Sequence, residues 1–560
     1  MNRRNDHGKI RSSIDKGKGK MFDTDDSNNL QNQYQHVDEF RQRISNFLYE
    51  NNINPNVVKS RSFQELMNVG GRGSLLQPHV PTVSDLRGEI LQENYQKLQL
   101  RVANMKKFWE FTGCSLILDV WVNEMMKKTF LNVLVNCPLG TVYLQSIDVT
   151  FVVNDVQAME KVVECLIFEV DAKNVLQVIS CSASPWLDVV RERIKEKHQW
   201  MFWNISATYC LELMLEKVAS SINWVKDTIE KAKRVTRVVH SDPSILDMLK
   251  EASVHETEDY YLVKSARIKA ATPFLTLENM LLRRIDLETM FTSVEWKNSR
   301  IGLSSKGRNV ANLVVKDKSF WVGVTLVAKA GMPIVNMLRL VNDGNNDVNR
   351  PHMGILYETM DQMKETIREE IGRKKAEDLW VVIDEIWNYI LHSPVHAAGY
   401  YLNPKLFYAE DFVDDPEVLG GIMTTVRKLG GSQYTQQLII QQLDLYRVAR
   451  GDFRRGMSER HIFSPVEWWK LFGSNYPELQ SLAVRILGLT CNGASSCELR
   501  REVAEKQLSI RKTHPSHEEL MQKCFVCYNL NLKNLDDLNF KFNLVARELD
   551  PLDDWVVGEF

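Results

Sequence analysis

Cys114–Trp121, CSLILDVW, decides the fold. Leu116, Leu118 and Val120 alternate with Ile117, Asp119 and Trp121, so both faces are apolar, the pattern of a strand buried on two sides. One carboxylate, Asp119, interrupts the stretch near its carboxyl end, where a charge is costly unless it is paired or holds metal. Two further strand-like stretches follow, TFLNVLVN and TVYLQSIDVTFVV, parted by the turn CPLG. A helical stripe of Val156, Met159, Val163, Leu166, Ile167 and Val170 comes next, then the apolar strand NVLQVIS at 174–180.

That order, strand, strand, strand, helix, strand with an acid on the first strand, predicts an α/β fold: a ribonuclease H-like core, a mixed sheet flanked by helices, interrupted by a large all-helical insertion domain. Residues 1–35 are polar, contain KGKGK and read as a disordered tail; 36–112 form a helical entry module; 113–210 hold the first part of the core; 211–460 read as helical insertion. The 560 residues are 44% hydrophobic and 25% charged with a net charge of −2, which gives ordinary soluble material and no global basic field. The start MNRRNDHGK has no signal-peptide core and no run approaches the roughly 18 apolar residues of a membrane helix, so an intracellular chain without membrane contact is expected. Its nine cysteines are then expected as thiols.

FTGCSLILDVW, PLGTVYLQSID, NVLQVIS, HSPVHAAGYYLNP and SPVEWWKLFGSNYPELQSLAVRILGLTC, in that order, resemble the plant branch of the hAT-superfamily transposases over residues 40–555. The resemblance implies that 461–535 is a dimerisation segment completing the core, with 536–560 as a tail, and that the protein is nuclear. Active members cut DNA with three acids holding two divalent metals. Asp119, followed two residues later by Trp121, matches the first. The second falls where Ser180, Cys181, Ser182 and Ala183 stand, so Cys181 replaces the carboxylate. A thiol of pKa about 8.5 is mostly neutral at pH 7 and a poor ligand for magnesium or manganese. Glu498 in SSCELRRE matches the third acid, but Arg501 occupies the family's tryptophan position. The family's Cys-x-x-His is Ser206 to Tyr209 here, and residues 1–113 hold no cysteine for the N-terminal zinc finger of many relatives. Asp148, in LQSIDV on a neighbouring strand, is the candidate substitute acid, but relatives often carry an acid there beside the triad, so rescue by it is not expected.

The expected protein is therefore a catalytically inactive, domesticated or decayed hAT transposase-like homodimer with Asp119, Cys181 and Glu498 as vestiges. Its interface candidates are Trp468, Trp469, Leu471, Phe472, Leu479, Leu482, Ile486 and Tyr528, apolar residues of the dimerisation segment. No metal, other cofactor or small-molecule substrate is expected. DNA is a possible partner through KGKGK or the basic stretch KAKRVTRVVH. Two alternatives stay open: an active transposase using magnesium or manganese, and a scaffold that binds only protein. His392 and His396 stand four apart around Pro394 and read as structural. Cys524 and Cys527, with Cys491 and Cys497, have zinc-like spacing but read as buried thiols in a helical pattern.

Overall fold

The computed structural model describes residues 38–70, 80–253, 261–343, 352–493, 501–508, 517–537, 543–546 and 552–558. The expected tail at 1–35, with KGKGK, lies outside them, as do Glu498 and Cys497. The chain divides into two compact units, Met1–Gln92 and Glu93–Phe560. In the first, α1 (38–50), α2 (Arg61–Gly70) and α3 (Val83–Arg87) are helical. Thr82 and Asp85 form a reciprocal capping box that starts α3, and Tyr49 Oη donates to the Leu86 carbonyl. Helix α4 spans Glu89–Thr112.

The second unit opens on the sheet: β1 (Cys114–Asn123), β2 (Lys128–Cys137), β3 (Gly140–Asp148), β4 (Val175–Ser180) and β5 (Phe202–Ile205), in the order β3-β2-β1-β4-β5. β1 pairs antiparallel with β2 and parallel with β4, so the sheet is mixed and β1 is its centre, which is why its side chains are apolar on both faces. Cys137 pairs with Gly140 across the CPLG turn. Helix α5 (Val156–Val170) carries the chain from β3 to β4, and α6 (Pro185–Lys197) from β4 to β5. This is the expected ribonuclease H-like α/β arrangement. The third strand is shorter than the sequence suggested. Asp148 Oδ1 accepts from the Thr150 amide and hydroxyl, and Thr150 Oγ1 accepts from the Thr129 amide, so a side-chain turn ends β3 and leaves Phe151 exposed.

After α7 (Ala207–Ser221) the described residues are mostly helical as far as the helix Gln433–Arg447, and one continuous apolar core joins this array to the sheet residues Leu176, Phe202 and Ile205. Its longest helix, α8 (Lys318–Asp343), corrects one expectation: Lys318–Asn342 is, among the described residues, a helix long and apolar enough to cross a membrane. Here that length packs against α7 and its neighbours, with Phe320, Val324, Val327, Ile334 and Leu338 buried in the core. The basic stretch KAKRVTRVVH, in the helix Asn223–His240, is partly spent. Lys233 pairs with Asp554 at 2.6 Å, Arg237 Nε donates to the Asp554 carbonyl and Thr236 Oγ1 to that of Trp555. The described part of the C-terminal tail is thus docked on that helix, and Ala266 bridges to Val545.

The segment after the array holds α9 (Asp452–Glu459), α10 (Pro465–Phe472), α11 (Pro477–Leu487), α12 (Arg501–Leu508) and α13 (His517–Asp537). A capping box of Ser464 and Glu467 starts α10. Helix α13 closes the sheet at its β3 edge. Asn529 Oδ1 accepts from the Tyr143 amide and its Nδ2 donates to the Tyr143 carbonyl, supplying the two bonds a neighbouring strand would make. Tyr528 stacks on Tyr143 with centroids 4.3 Å apart.

Candidate functional site

The parallel register of β1 and β4 sets Leu118 beside Ser180, so Asp119 and Cys181 leave the same end of the two central strands. The Cys181 amide donates to the Leu118 carbonyl at 3.0 Å. The hairpin register sets Asn132 directly across from Asp119. This is the edge at which the family resemblance places the acids.

The Asp119 side chain is 1% exposed and its counter-charge is Arg501, the first residue of α12. Asp119 Oδ1 accepts from Arg501 Nη2 at 2.7 Å, while Oδ2 accepts from Arg501 Nε at 3.4 Å and from Asn132 Nδ2 at 3.3 Å. A planar guanidinium meeting both carboxylate oxygens is the strong, directional form of such a pair. The bonds continue across the sheet. Ser146 Oγ donates to Asn132 Oδ1 at 2.6 Å, lies 2.6 Å from Tyr143 Oη, and Tyr143 Oη lies 3.4 Å from Cys524 Sγ on α13. Burial raises the Tyr143 phenol well above its ordinary value, so it acts as a neutral member of the chain.

Cys181 is 1% exposed and sits in an apolar niche. A Cβ built on Gly493 would come 3.0 Å from its Sγ and 2.7 Å from Ile117 Cγ2, so glycine is what lets the segment after α11 close over it. Ser206, at the cysteine position of the family's Cys-x-x-His, takes part in a buried polar clamp. Ser206 Oγ donates to Asn492 Oδ1 at 2.7 Å, Asn492 Nδ2 to Asn342 Oδ1 at 3.2 Å, and Asn342 Nδ2 to Thr208 Oγ1 at 2.9 Å. Gln177 adds a second tie, donating to Ser115 Oγ and the Thr490 carbonyl. The C-terminal segment is thereby bonded to α7, α8 and the sheet.

Glu212 on α7, unmarked by sequence, also belongs here. Burial, with Glu216 adding and Arg501 opposing, pushes its carboxyl up to about 6. Asp148 is elsewhere: it stands opposite Phe130 on β2, not on β1, and pairs with Lys128 at 2.6 Å. Burial pushes its carboxyl up, but the bonds from Lys128 and Thr150 outweigh it and the net shift is downward.

Two divalent metals need several hard oxygen donors converging at open positions. The described residues do not fit that requirement. Both Asp119 oxygens are turned to Arg501, Cys181 offers a soft thiol, and no group of three or more His, Cys, Asp or Glu side chains gathers for a metal among the described residues. Glu498 lies outside them. Cys524, Cys527 and Cys491 are buried and their thiols are pushed up by burial to about 11, 12 and 12, so they are packed as neutral groups. His396 is fully buried with both ring nitrogens unpartnered, and burial, with His392 nearby, holds it down to about 3.

The dimer-interface candidates need correction. Trp468, Trp469, Leu479, Leu482, Ile486 and Tyr528 are buried within the chain itself, because two indole donors and a dense aromatic cluster find partners there. Trp468 Nε1 donates to the Gly456 carbonyl and Trp469 Nε1 to that of Leu402, each at 2.7 Å, and Trp468 stacks on Phe453. Leu471 is exposed and Phe472 half-buried.

Comparison with known families gives two matches. Residues 81–235 match the family described as Domain of unknown function (DUF659), and residues 443–531 match the hAT family C-terminal dimerisation region. No curated protein matches the chain. The first match holds the sheet with Asp119 and Cys181, the second holds α10, α11, α12 and most of α13, and Arg501 joins the two. The two matches together support an hAT-family transposase-like protein whose C-terminal segment matches that family's dimerisation region.

Proposed function

We propose that this chain is a self-associating binding protein built on a transposase core that no longer cuts DNA. The Asp119–Arg501 pair carries the reading. A guanidinium that bonds both oxygens of the first acid stands where an active site needs open carboxylate positions, and Cys181 stands where the second acid belongs. Neutralising a buried acid by an internal cation removes the electrostatic reason for it to recruit magnesium or manganese. The Ser206–Asn492–Asn342 clamp supports the same view, since it spends the cysteine position of a second family motif on holding the segment in place. The protein needs no cofactor and acts in the nucleus.

Self-association runs through the matched dimerisation region. Within it Val448, Ile462 and Leu471 are exposed apolar side chains on the described surface, a start toward the about 800 Å² per partner that a stable interface buries. Sedimentation velocity at micromolar concentration tests this: a dimer is expected, and a monomer at every concentration rules self-association out. Incubation with manganese and end-bearing DNA tests the loss of cutting. Nicking that disappears in Asp119→Ala would restore the active-transposase alternative.

A further inference from the structure

Away from the Asp119 edge lies a cavity of about 600 Å³ walled by four stretches: the end of α5 and the loop after it, the loop before β5, residues 428–431, and Arg485 of α11. Two of its cations make no ion pair among the described residues. Lys428 Nζ donates to the Gln199 and Met201 carbonyls at 2.9 and 3.4 Å and lies 5.2 Å from the centre of the Phe202 ring, and Lys195 repels it. Arg485 Nη2 makes one long bond, 3.4 Å, to the Lys173 carbonyl, its buried Nε has no partner, and it forms no ion pair among the described residues. Burial lowers the affinity of both groups for their protons, and what each cation has from the described residues is neutral partners rather than an ion pair. The acid on the wall, Asp171, is taken by Lys173 at 3.1 Å. Half-buried cations without counter-ions are costly, and an anion entering the cavity relieves them.

The remaining wall is aromatic. Phe168 is 67% exposed although it sits at the end of a helix with a buried stripe, and Trp200 lines the cavity with its Nε1 unpartnered. Both rings pack edge-on to His198, Trp200 at 5.1 Å and Phe168 at 6.2 Å, which fixes them at the rim. Asp171, a non-glycine residue, is held at φ 80, a strained turn that shapes the mouth of the cavity. Flat apolar rings beside unpaired cations are the chemistry that holds a base and its phosphate.

We propose that this cavity binds a nucleotide unit, its phosphate on Lys428 and Arg485 and its base against Phe168 and Trp200. The same chemistry is offered by an unpaired nucleotide in single-stranded DNA and by a free mononucleotide. The proposal is independent of self-association and gives the DNA-binding possibility a location.

The test is fluorescence anisotropy of the intact chain with a labelled thymidine oligonucleotide of roughly a dozen residues, with thymidine monophosphate as competitor, at two salt concentrations. Phe168→Ala, a change at an exposed side chain, is expected to weaken binding about tenfold with an unchanged circular dichroism spectrum. The Lys428→Gln/Arg485→Gln double variant is expected to flatten the salt dependence by about 0.7 in log–log slope, the value for one phosphate of a single strand. Competition by the monophosphate identifies a site for free nucleotide, and binding of the oligonucleotide alone identifies a strand site. Wild-type-like binding by Phe168→Ala overturns the proposal and places any DNA binding elsewhere. Absence of binding by both probes at about millimolar concentration also overturns it, whatever the oligomeric state.

Discussion

Replacing Arg501 by methionine removes the counter-charge of Asp119 while keeping most of the aliphatic stem. The carboxylate left behind is 1% exposed, and its surviving bond among those described above is the 3.3 Å one from Asn132. Removing one partner of a buried pair costs about 3–5 kcal/mol. The Arg501 side chain is 33% exposed, so the lower end applies, about 3 kcal/mol. Asp119→Asn removes the charge instead and leaves a guanidinium that water can reach, which costs about 1 kcal/mol. The double variant lacks both charges, so it lies within about 1 kcal/mol of wild type and the coupling between the sites is about 3 kcal/mol. Hydrogen exchange followed by mass spectrometry on peptides covering β1 and α12 reads this locally. Exchange through local opening should accelerate about a hundredfold in Arg501→Met and return close to the wild-type rate in the double variant. Single-variant losses that simply add, or an Arg501→Met rate equal to wild type, would refute the view that this pair holds the old catalytic edge together.

Other changes have separable outcomes. Glu212 has its folded carboxyl raised to about 6 from an ordinary 4.5, so the folded state binds its proton more tightly and stability falls as pH rises through that window, by at most about 2 kcal/mol. Glu212→Gln should therefore raise the melting temperature at pH 7.5 and leave it nearly unchanged at pH 4.5; an equal gain at both would show that charge is not the cause. Trp468→Ala empties a core position and should cost about 3–5 kcal/mol in urea unfolding, whereas Leu471→Asp should spare the melting temperature and weaken the dimer in sedimentation. Gly493→Ala forces a methyl against Ile117 and Cys181 and should destabilise by about 1–3 kcal/mol, with Cys181→Ala in the same chain recovering part of the loss.

Where the sequence was legible, the cause was periodicity. Two-faced apolar alternation in CSLILDVW identified the central strand, and CPLG marked the hairpin that β2 and β3 make. What it could not show depends on partners distant in the chain. Arg501 was visible as a departure from the family's tryptophan, but its reach to Asp119, 382 positions away, is a property of the fold. Asn132 was in principle readable, since a hairpin register sets it opposite Asp119, yet its bond needs the rotamer as well. The apolar residues of α10 and α11 were misread because amphipathic spacing tells that a face is buried without telling by what. The same gap explains α8, whose hydropathy suits a bilayer as well as the helical core that covers it. Asp148 ended a strand that β propensity alone would continue, through a side-chain turn to Thr150.

The claim that Asp119 now belongs to Arg501 is met most directly by calorimetric titration of manganese into the intact protein at low salt and pH 7.5. No saturable heat is expected up to about millimolar metal, and Asp119→Ala should give the same trace as wild type. A stoichiometric isotherm that vanishes in Asp119→Ala would show that the acid still holds a divalent cation and would contradict the account.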